Sequence, residues 1–367
     1  METLVADQAA CAAVSVATRP VPTRVLVTGA DGFIGSVMTP RLLAEGFDVV
    51  GLDTGYYRAG QLYHDGKDRP ATLTRDVRRL APADLEGFDA VVHLAELSND
   101  PLCQHDPKKT YEINHLGSVA LAWAAREAGV ARFVYASSCS IYGAAGDGTK
   151  TEESAPDPQT AYADCKRLVE RDVRALADDS FSPTFLRNAT AFGASPRIRF
   201  DIVLNNLAGL AWTTGRITMT SDGSPWRPLV HVDDICGAVI ATLRAPREVV
   251  ANQVFNVGDD HNNYRVREIA AAIGEAFPNC RIEFGSNAGD NRSYRVSFEK
   301  IHRLLPEFRC RWDARSGARQ MRGLFEHIAM SDRDFNAPPF TRLRQLQHLL
   351  DTRQIDADFY WRPNAFS

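Results

Sequence analysis

Tyr162 and Lys166 are the residues of this chain best suited to moving a proton. They stand four residues apart, a spacing that puts both side chains on one face of a helix. An ammonium group beside a phenol favours the phenolate and so lowers the pKa of the phenol from its usual value of about 10. A phenol tuned in this way can take a proton from an alcohol, or return one, near neutral pH. Taken alone, the spacing is more typical of a solvated pair on a helix surface, so its meaning depends on the motifs before it.

Hydroxyl groups end an apolar segment shortly before this pair. Residues 133–143 predict a strand that finishes at Ser137 and Ser138. In an open α/β sheet, ligands bind beyond the carboxyl ends of the strands. We therefore expect Ser138 at the mouth of a ligand crevice, hydrogen-bonded to the same reacting oxygen as Tyr162. The alternative is a serine-rich loop in which Ser138 only caps a helix.

Three glycines spaced three apart predict a phosphate-binding turn. Gly29, Gly32 and Gly35 lie between a short apolar segment and an amphipathic one. Glycine permits the tight turn and lets the backbone approach a ligand, and the following helix N-terminus suits a pyrophosphate. Asp53 ends the next apolar segment, where a dinucleotide fold places the carboxylate that binds the adenosine ribose. Without Asp53 the run would be consistent with an ordinary glycine-rich turn.

Composition excludes several classes of function. The chain has 367 residues, of which 44% are hydrophobic and 24% charged, as is ordinary for a soluble globular enzyme. A net charge of −4 gives no electrostatic case for nucleic acid, and no apolar stretch has the length of a membrane span. The seven cysteines form no C-x-x-C pair, so we expect no metal, and free thiols in a reducing compartment such as the cytoplasm. Residues 1–22 lack a basic start and predict a flexible leader rather than a signal peptide.

Strand and helix patterns alternate through the first half of the chain and must position these groups. Together they predict an α/β fold with a Rossmann-type doubly wound parallel sheet. Buried strands are expected at 24–28, 48–53, 90–95, 132–136 and 183–187, with helices near 33–46, 108–129 and 160–178 between them. Residues 194–230 mix loops with a helix near 201–214, and further helices are expected near 234–244, 265–276, 313–328 and 340–351.

This order of motifs resembles the extended short-chain dehydrogenase/reductase family, the NAD-dependent nucleotide-sugar epimerases and dehydratases. The likeness covers roughly residues 24–305. It is carried by the runs Thr28–Gly35, Asp76-Val77, His93-Leu94-Ala95, Asn114, Ser138, Tyr142-Gly143, Tyr162/Lys166, Leu186–Gly193 and Arg227–Asp234.

The resemblance implies roles for many of these residues and a division into domains. It implies an NAD-binding unit at 23–190, completed by about 229–258, and a smaller mixed α/β substrate-binding lobe from 191–228 and 259–330. Residues 331–367 remain as a C-terminal helical extension, whose aromatic residues 359–361 are expected to pack on the body or on a partner subunit. The implied cofactor residues are Gly29, Gly32, Phe33, Ile34, Gly35, Asp53, Asp76, Val77, Leu94, Ala95, Tyr162 and Lys166. The implied catalytic residues are Ser138, Tyr162 and Lys166, and the substrate residues are Ser98, Asn99, Ser138, Thr190, Arg227 and Arg292.

Two of the motifs also have plain structural interpretations. Arg227 is expected to face a nucleotide diphosphate, for which a guanidinium fork is well shaped, and otherwise lies in a surface ion pair. For His231 and Asp233, packing and helix capping are the preferred interpretation. Asn114 matches a central-helix asparagine of the family that is often structural.

Departures from the family pattern narrow the range of reactions that we expect. Dehydratases carry Asp-Glu directly after the catalytic hydroxyl, whereas this chain has Cys139 and Ser140, so dehydration is disfavoured. Cys139 could act as a thiol acid/base of the 3,5-epimerase kind, but packing as a small buried group is the preferred interpretation. Thr190 replaces the family's asparagine, which leaves the substrate contacts there open. Asn287 stands where an arginine is usual, and Arg292 or Arg295 could supply that charge instead.

The expected function is an NAD-dependent nucleotide-sugar 4-epimerase. Tyr162 would deprotonate the sugar 4-hydroxyl while a hydride passes to NAD, and a transient 4-keto sugar would take the hydride back on its other face. Asp53 argues for NAD over NADP, since a 2′-phosphate would meet like charge. The alternative is a nucleotide-sugar 4-ketoreductase of deoxysugar biosynthesis. A dehydratase, a 3,5-epimerase-like enzyme and a non-catalytic NAD-sensing protein are disfavoured.

The same resemblance implies a homodimer. The family pairs the helices near 108–129 and 160–178 across a two-fold axis, an isologous contact. The apolar stripe expected to form it comprises Leu121, Ala124, Ala125, Ala161, Leu168 and Val173.

Overall fold

A computed structural model describes residues 21–98, 100–144, 148–219, 221–286 and 293–363. The strands are β1 (Arg24–Thr28), β2 (Asp48–Asp53), β3 (Thr72–Thr74), β4 (Ala90–His93), β5 (Arg132–Ser138), β6 (Thr149–Lys150), β7 (Ser182–Asn188), β8 (Thr190–Phe192), β9 (Arg216–Thr218), β10 (Trp226–His231), β11 (Gln253–Val257), β12 (Asn263–Arg265), β13 (Arg281–Glu283) and β14 (Arg295–Val296). The helices are α1 (Gly35–Ala44), α2 (Asp100–His105), α3 (Pro107–Thr110), α4 (Ser118–Glu127), α5 (Ala161–Arg174), α6 (Val203–Thr214), α7 (Val232–Arg244), α8 (Arg247–Val250), α9 (Val266–Ala276), α10 (Glu299–Leu304), α11 (Ala314–His327), α12 (Asp332–Asn336) and α13 (Arg342–Asp351). A π-helical segment, Tyr111–Gly117, joins α3 to α4.

Seven parallel strands form the central sheet in the order β3-β2-β1-β4-β5-β7-β11. The chain leaves β1 toward β2 on one side and later returns to place β4 on the other, so the strand order reverses between β1 and β4. Ligands of open α/β sheets bind at such a switch point. The prediction of a Rossmann-type doubly wound sheet is confirmed.

Both faces of this sheet are covered, as continuous apolar strands require. Val25 and Val27 pack with α1 and α7 on one face, and Leu26 packs with α4 and α5 on the other. Each of these three side chains is at most 1% exposed. The carboxyl ends of the strands are thereby held at one rigid edge.

The second half contains more strand than its sequence suggested. Residues 194–230, expected to be mostly loop and one helix, also contain β9 and most of β10. In a small sheet, β10 pairs in parallel with β8 and antiparallel with β12, while β9 pairs with β13. A strand of three residues such as β9 leaves too short a pattern for periodicity to detect.

A separate apolar core lies under α6, α9 and α11. Its largest fully buried members are Phe192 and Phe325. The close packing is visible at Gly317, where a Cβ would approach the Phe192 ring to 2.3 Å. This core carries the loops that face the sheet's carboxyl edge.

The apolar stripe expected at a dimer contact lies instead inside the chain. Leu121 and Ala125 are fully buried beneath the central sheet, as are Ala124 and Val173, and Ala161 is 9% exposed. Of the six residues only Leu168 is partly exposed. The apolar periodicity of both helices therefore arises because these faces pack against the chain's own central sheet.

The described part of the chain contains neither a membrane-spanning helix nor a cluster of metal ligands. None of its helices combines the length and apolar character needed to cross a lipid bilayer. Nor do its His, Cys, Asp and Glu side chains form any group of three suited to a metal ion.

Candidate active site

One cavity of about 730 Å³ opens along the carboxyl edge of the central sheet. Its size is within the range typical of cofactor and substrate sites. The sequence-predicted site residues that line it are Gly29, Gly32, Phe33, Ile34, Gly35, Asp53, Asp76, Val77, Leu94, Ala95, Ser98, Ser138, Tyr162, Lys166, Thr190 and Arg227. Asn99 and Arg292 lie outside the described residues. The fold thus gathers into one cavity side chains that are up to two hundred residues apart in the chain.

The glycine turn is shaped by contacts that exclude side chains. Gly29 has a φ of +74°, and a Cβ there would approach the backbone of Leu94 and Ala95 to 2.9 Å. At Gly35 a Cβ would come within 2.1 Å of the Gly29 carbonyl oxygen. The turn therefore brings the end of β1 and the start of α1 close together. This leaves an open backbone cradle at a helix N-terminus, the arrangement that suits a pyrophosphate.

Asp53 lies directly beside this turn. Its carboxylate accepts hydrogen bonds from the backbone N–H groups of Asp31 at 3.1 Å and Gly55 at 2.7 Å. Burial, with the nearby Asp31 carboxylate, raises the pKa of Asp53 to about 6, although the two N–H donors oppose the shift. Asp53 is therefore a buried acceptor that is ionised at neutral pH.

Asp76 is the second carboxylate at this end. It caps a short helical turn, accepting from the Arg78 backbone N–H at 2.9 Å, and is ion-paired with the Arg78 guanidinium at 2.6 Å. Val77 is 4% exposed and forms part of the cavity wall.

Ser138, Tyr162 and Lys166 lie together at the other end of the cavity. Tyr162 and Lys166 are in the first turns of α5, which begins after a Thr160 cap on the Ala163 N–H at 3.2 Å. The Lys166 Nζ is 5.4 Å from the centre of the Tyr162 ring and donates to the Ala136 carbonyl oxygen at 2.5 Å. Ser138 ends β5 and also accepts from the Ser140 N–H at 3.1 Å, so the capping and cavity-lining interpretations both hold.

Glu96 is a central residue of this end that the motifs did not reveal. Its Oε2 lies 2.6 Å from the Lys166 Nζ, and both side chains are at most 6% exposed. Its Oε1 accepts from the Tyr135 hydroxyl at 2.5 Å. Burial and the Glu96 carboxylate raise the pKa of Tyr135 well above 10, so Tyr135 remains a donor. A carboxylate directly after His93-Leu94-Ala95 was the available signal, since that run already marked the carboxyl end of a strand.

The charge at this end is therefore partly balanced. Burial raises the pKa of Tyr162, the Lys166 ammonium lowers it, and the Glu96 carboxylate raises it again, leaving the pKa above 10. The prediction that Lys166 lowers this pKa below its usual value is therefore wrong for the cofactor-free protein, because burial outweighs the ammonium. Burial opposes the charge of Lys166, but Glu96 and Tyr162 together raise its pKa. Lys166 thus stays protonated and carries its own counter-ion.

Cys139 is placed for packing. It is fully buried in the core beside α1 and α7, and its thiol donates to the Arg187 carbonyl oxygen at 3.1 Å. Burial raises the pKa of this thiol. A deprotonated Cys139 would be an uncompensated buried charge, which favours the packing interpretation over acid/base chemistry.

His231, Asp233 and Asn114 have structural contacts. His231 accepts the Asp233 N–H at 3.1 Å, contacts Gln320 at 2.8 Å and stacks on Trp312 at 4.2 Å. Asn114 is buried and clamps the Leu97 backbone through hydrogen bonds of 2.8 Å in both directions. It thereby fixes the loop that carries Glu96.

Two arginines from the second half of the chain also line the cavity. Arg227, in β10, lines the cavity and donates to the Trp226 carbonyl oxygen at 2.8 Å. Arg199, which the motifs did not single out, holds both the Ser98 carbonyl oxygen at 2.6 Å and the Asp201 carboxylate at 2.8 Å.

Comparison with known proteins identifies the family. The profile described as "NAD dependent epimerase/dehydratase family" matches residues 25–258. The chain belongs to this family. It is 34% identical over 266 residues to a UDP-glucose 4-epimerase of Mycolicibacterium smegmatis, covering 69% of this chain and 82% of that protein. A UDP-glucose 4-epimerase of Lactobacillus helveticus is 30% identical over 274 residues, covering 68% and 81%. By class the chain is an NAD-dependent nucleotide-sugar epimerase, as its motifs predicted.

Solved structures share the fold. MoeE5 in complex with UDP-glucuronic acid and NAD is 28% identical with a TM-score of 0.71, covering 83% of this chain and 99% of that one. DesIV, a dTDP-glucose 4,6-dehydratase from Streptomyces venezuelae with NAD and TYD bound, is 25% identical with a TM-score of 0.74, covering 86% and 100%.

The cavity of this family member fits its cofactor, NAD. The side-chain-free cradle at Gly29 and Gly35 matches a pyrophosphate, and the buried Asp53 carboxylate matches a pair of ribose hydroxyls. Lys166 and Tyr162 line the same cavity and would be in reach of the bound cofactor.

Proposed function

We propose that this enzyme interconverts the two configurations at C4 of a nucleotide sugar through a transient 4-keto sugar. The observation that carries the proposal is the cluster of Ser138, Tyr162 and Lys166 in the same cavity as the glycine cradle and Asp53. The relatives named UDP-glucose 4-epimerase support it and make UDP-glucose the first substrate to test.

NAD, when bound, supplies the hydride acceptor and donor that this reaction needs. Tyr162 takes the proton from the sugar hydroxyl and later returns it, because it is a cavity-lining phenol whose ring centre lies 5.4 Å from the Lys166 ammonium group. Ser138 holds the same oxygen by a hydrogen bond. Lys166 keeps positive charge beside the phenol in both directions.

The position after Ser138 argues against dehydration. Dehydration requires an acid that protonates the departing hydroxyl, but Cys139 is buried in the core and Ser140 is not acidic. The 4-ketoreductase alternative shares all the residues of the epimerase and differs only in net consumption of cofactor.

Turnover with UDP-glucose tests the proposal directly. We expect UDP-galactose to appear to equilibrium with no stoichiometric change in NADH absorbance, and Tyr162→Phe to abolish it. Net NADH consumption with a 4-keto nucleotide sugar, and no interconversion, would identify a ketoreductase instead. No turnover with any nucleotide sugar would leave a non-catalytic NAD-binding protein.

Arg227 is proposed to bind the substrate diphosphate. It is a half-buried guanidinium on the wall of the cavity, at the side where the second lobe faces the sheet. A fork of N–H donors matches two phosphate oxygens better than a point charge does.

We further propose a homodimer formed through α4 and α5, with an outer face different from the stripe first expected. Leu116 and Trp123 are 59% and 49% exposed and lie seven residues apart, on one side of the continuous π-to-α4 helix. Light scattering at micromolar concentration should show a dimer, and Trp123→Asp with Leu116→Ser should give a monomer. Leu73→Asp, which removes another exposed apolar side chain, is the matched control. A monomeric unaltered protein would contradict the proposal.

We also propose a division of the chain into two units. Cofactor binding is assigned to residues 23–190 with 229–258, and substrate binding to residues 191–228 with 259–330. The strand Gln253–Val257 pairs with the edge of the central sheet, whereas the helices α6, α9 and α11 have their own core. A cytoplasmic location is proposed because the six described cysteines are all free thiols.

A further inference from the structure

Residues 331–363, the C-terminal extension, lie against the end of the cavity that contains the glycine turn and Asp53, called the cofactor end below. The Trp361 indole N–H donates to the Thr54 carbonyl oxygen at 2.6 Å, and the Gln345 amide donates to the Tyr56 carbonyl oxygen at 2.9 Å. The Tyr56 hydroxyl in turn donates to the Phe359 carbonyl oxygen. The extension is therefore fixed to the loop that follows Asp53.

Arg342, the first residue of α13, reaches from this extension to the cavity wall. It is 3% exposed and its guanidinium stacks over the Tyr57 ring at 4.0 Å. Its backbone N–H donates to the Asp201 carboxylate at 3.0 Å, which ties the helix start to the second lobe. The side chain is thus locked in position by packing.

The guanidinium itself is poorly satisfied. Within the described residues its side chain makes one hydrogen bond, a long one of 3.4 Å to the Pro339 carbonyl oxygen, and no ion pair. The nearest lobe carboxylate, Asp201, is already used by the Arg199 side chain and by the Arg342 backbone. Because Arg342 lines the cavity, its remaining N–H donors are available to a ligand bound there.

The local charge points to an anion. Burial and the neighbouring Arg199 lower the pKa of Arg342 to about 10, while Asp201 and Asp53 act in the opposite direction. The group is still charged at neutral pH, and a bound anion would offset both the cost of its desolvation and the repulsion from Arg199. An arginine fork pairs with two phosphate oxygens at once.

We propose that Arg342 binds a diphosphate group in this cavity, so that the C-terminal extension is part of the binding site. Two ligands could present that group: NAD and the nucleotide-sugar substrate. The position of Arg342 on the Asp53 side favours the pyrophosphate of NAD. The proposal rests on the use of NAD and does not depend on which sugar carbon is inverted.

Calorimetry on nucleotide-free protein tests this with paired variants. Arg342→Met keeps an apolar chain for the Tyr57 contact but removes the fork, and Arg344→Met makes the same change at an exposed position of the same helix. For Arg342→Met we expect affinity for ADP-ribose to fall by about ten- to a hundredfold, the range of a charge-assisted hydrogen bond, with UDP binding unchanged. Arg344→Met should bind both like the unaltered protein.

The remaining outcomes separate the sources and the alternatives. If Arg342→Met loses affinity for UDP but binds ADP-ribose normally, Arg342 contacts the diphosphate of the substrate rather than that of NAD. Unchanged affinity for both ligands in folded Arg342→Met would overturn the proposal. An equal loss of affinity for adenosine, which has no phosphate, would also overturn it, because the effect would then be structural. If Arg342→Met does not fold, Arg342→Gln, which keeps a planar polar group without charge, makes the same test.

Discussion

The two ends of the cavity are built by different means. At the cofactor end, the site is formed mainly by backbone. The turn at Gly29 and Gly35 leaves no room for side chains, and two backbone N–H groups donate to Asp53. At the end that contains Tyr162, charged side chains balance one another, since Glu96 pairs with Lys166 and accepts from Tyr135. The first arrangement is suited to holding a ligand, the second to moving a proton. The comparison predicts that substitutions at one end change binding and substitutions at the other change turnover.

Tyr162→Phe should separate the two ends most strongly. Removing the phenol should lower kcat by about 10²–10⁴-fold, the usual contribution of an acid/base group, while the ring still packs beside bound NAD. Single-turnover kinetics and NAD content of the purified variant measure both effects. A variant that keeps more than about a tenth of kcat would show that another group moves the proton.

Arg227→Ala tests the far wall of the cavity. A lost charge-assisted hydrogen bond of about 1.5–3 kcal/mol should weaken nucleoside diphosphate binding roughly ten- to more than a hundredfold, with little effect on NAD. Arg227→Lys should restore only part of the affinity, because it lacks the fork. Calorimetry with UDP measures this, and an unchanged affinity would place the diphosphate elsewhere, with Arg292 and Arg295 the next candidates.

Asp53→Asn should weaken NAD binding by roughly tenfold if one charged hydrogen bond is lost. It should also reduce the preference for NAD over NADP. Asp48→Asn, on the exposed start of the same strand, is the control. NADP binding more tightly than NAD to the unaltered protein would contradict the role of Asp53.

The pH dependence of Asp53 sharpens the same point. Its pKa of about 6 is above the 3.8 of an unfolded chain, so its contribution to stability is complete below pH 3.8 and is lost as pH rises through 6. The ionised form is a cost to the cofactor-free fold at neutral pH, but it is the better ribose acceptor. We therefore expect NAD affinity to fall as pH drops below 6. Fluorescence titration of NAD at a series of pH values measures this, in protein whose Asp31 and Arg342, the charged neighbours of Asp53, are unaltered.

Glu96→Gln should give the smallest but most specific effect. Without the carboxylate, the pKa values of Tyr162 and Lys166 both fall, so both limbs of the pH–kcat profile should move to lower pH. Asp100 and Cys103 also face Tyr162 and remain unchanged. Glu127→Gln, at an exposed site on α4, should not move the profile. A Glu96→Gln enzyme with lower kcat but unmoved limbs would reduce Glu96 to a packing role.

The sequence by itself determined the doubly wound fold, the glycine cradle, Asp53 and the Ser138, Tyr162 and Lys166 cluster. These follow from local rules: apolar segments of strand length, a turn that only glycine permits, and a fixed edge where parallel strands end. The family's motifs therefore placed the groups at one cavity before any contact was known.

Only the tertiary structure decided which charges face each other. Glu96 and Lys166 are far apart in the chain and meet because β4 and β5 pair side by side and α5 packs over them. Arg342 reaches the cofactor end from the C-terminal extension, and the stripe with Leu121 faces the sheet rather than a partner. Periodicity shows that a helix face is apolar but not what covers it, and spacing along the chain does not encode contacts between distant elements. Those contacts depend on how the elements pack, which is where burial and charge balance are set.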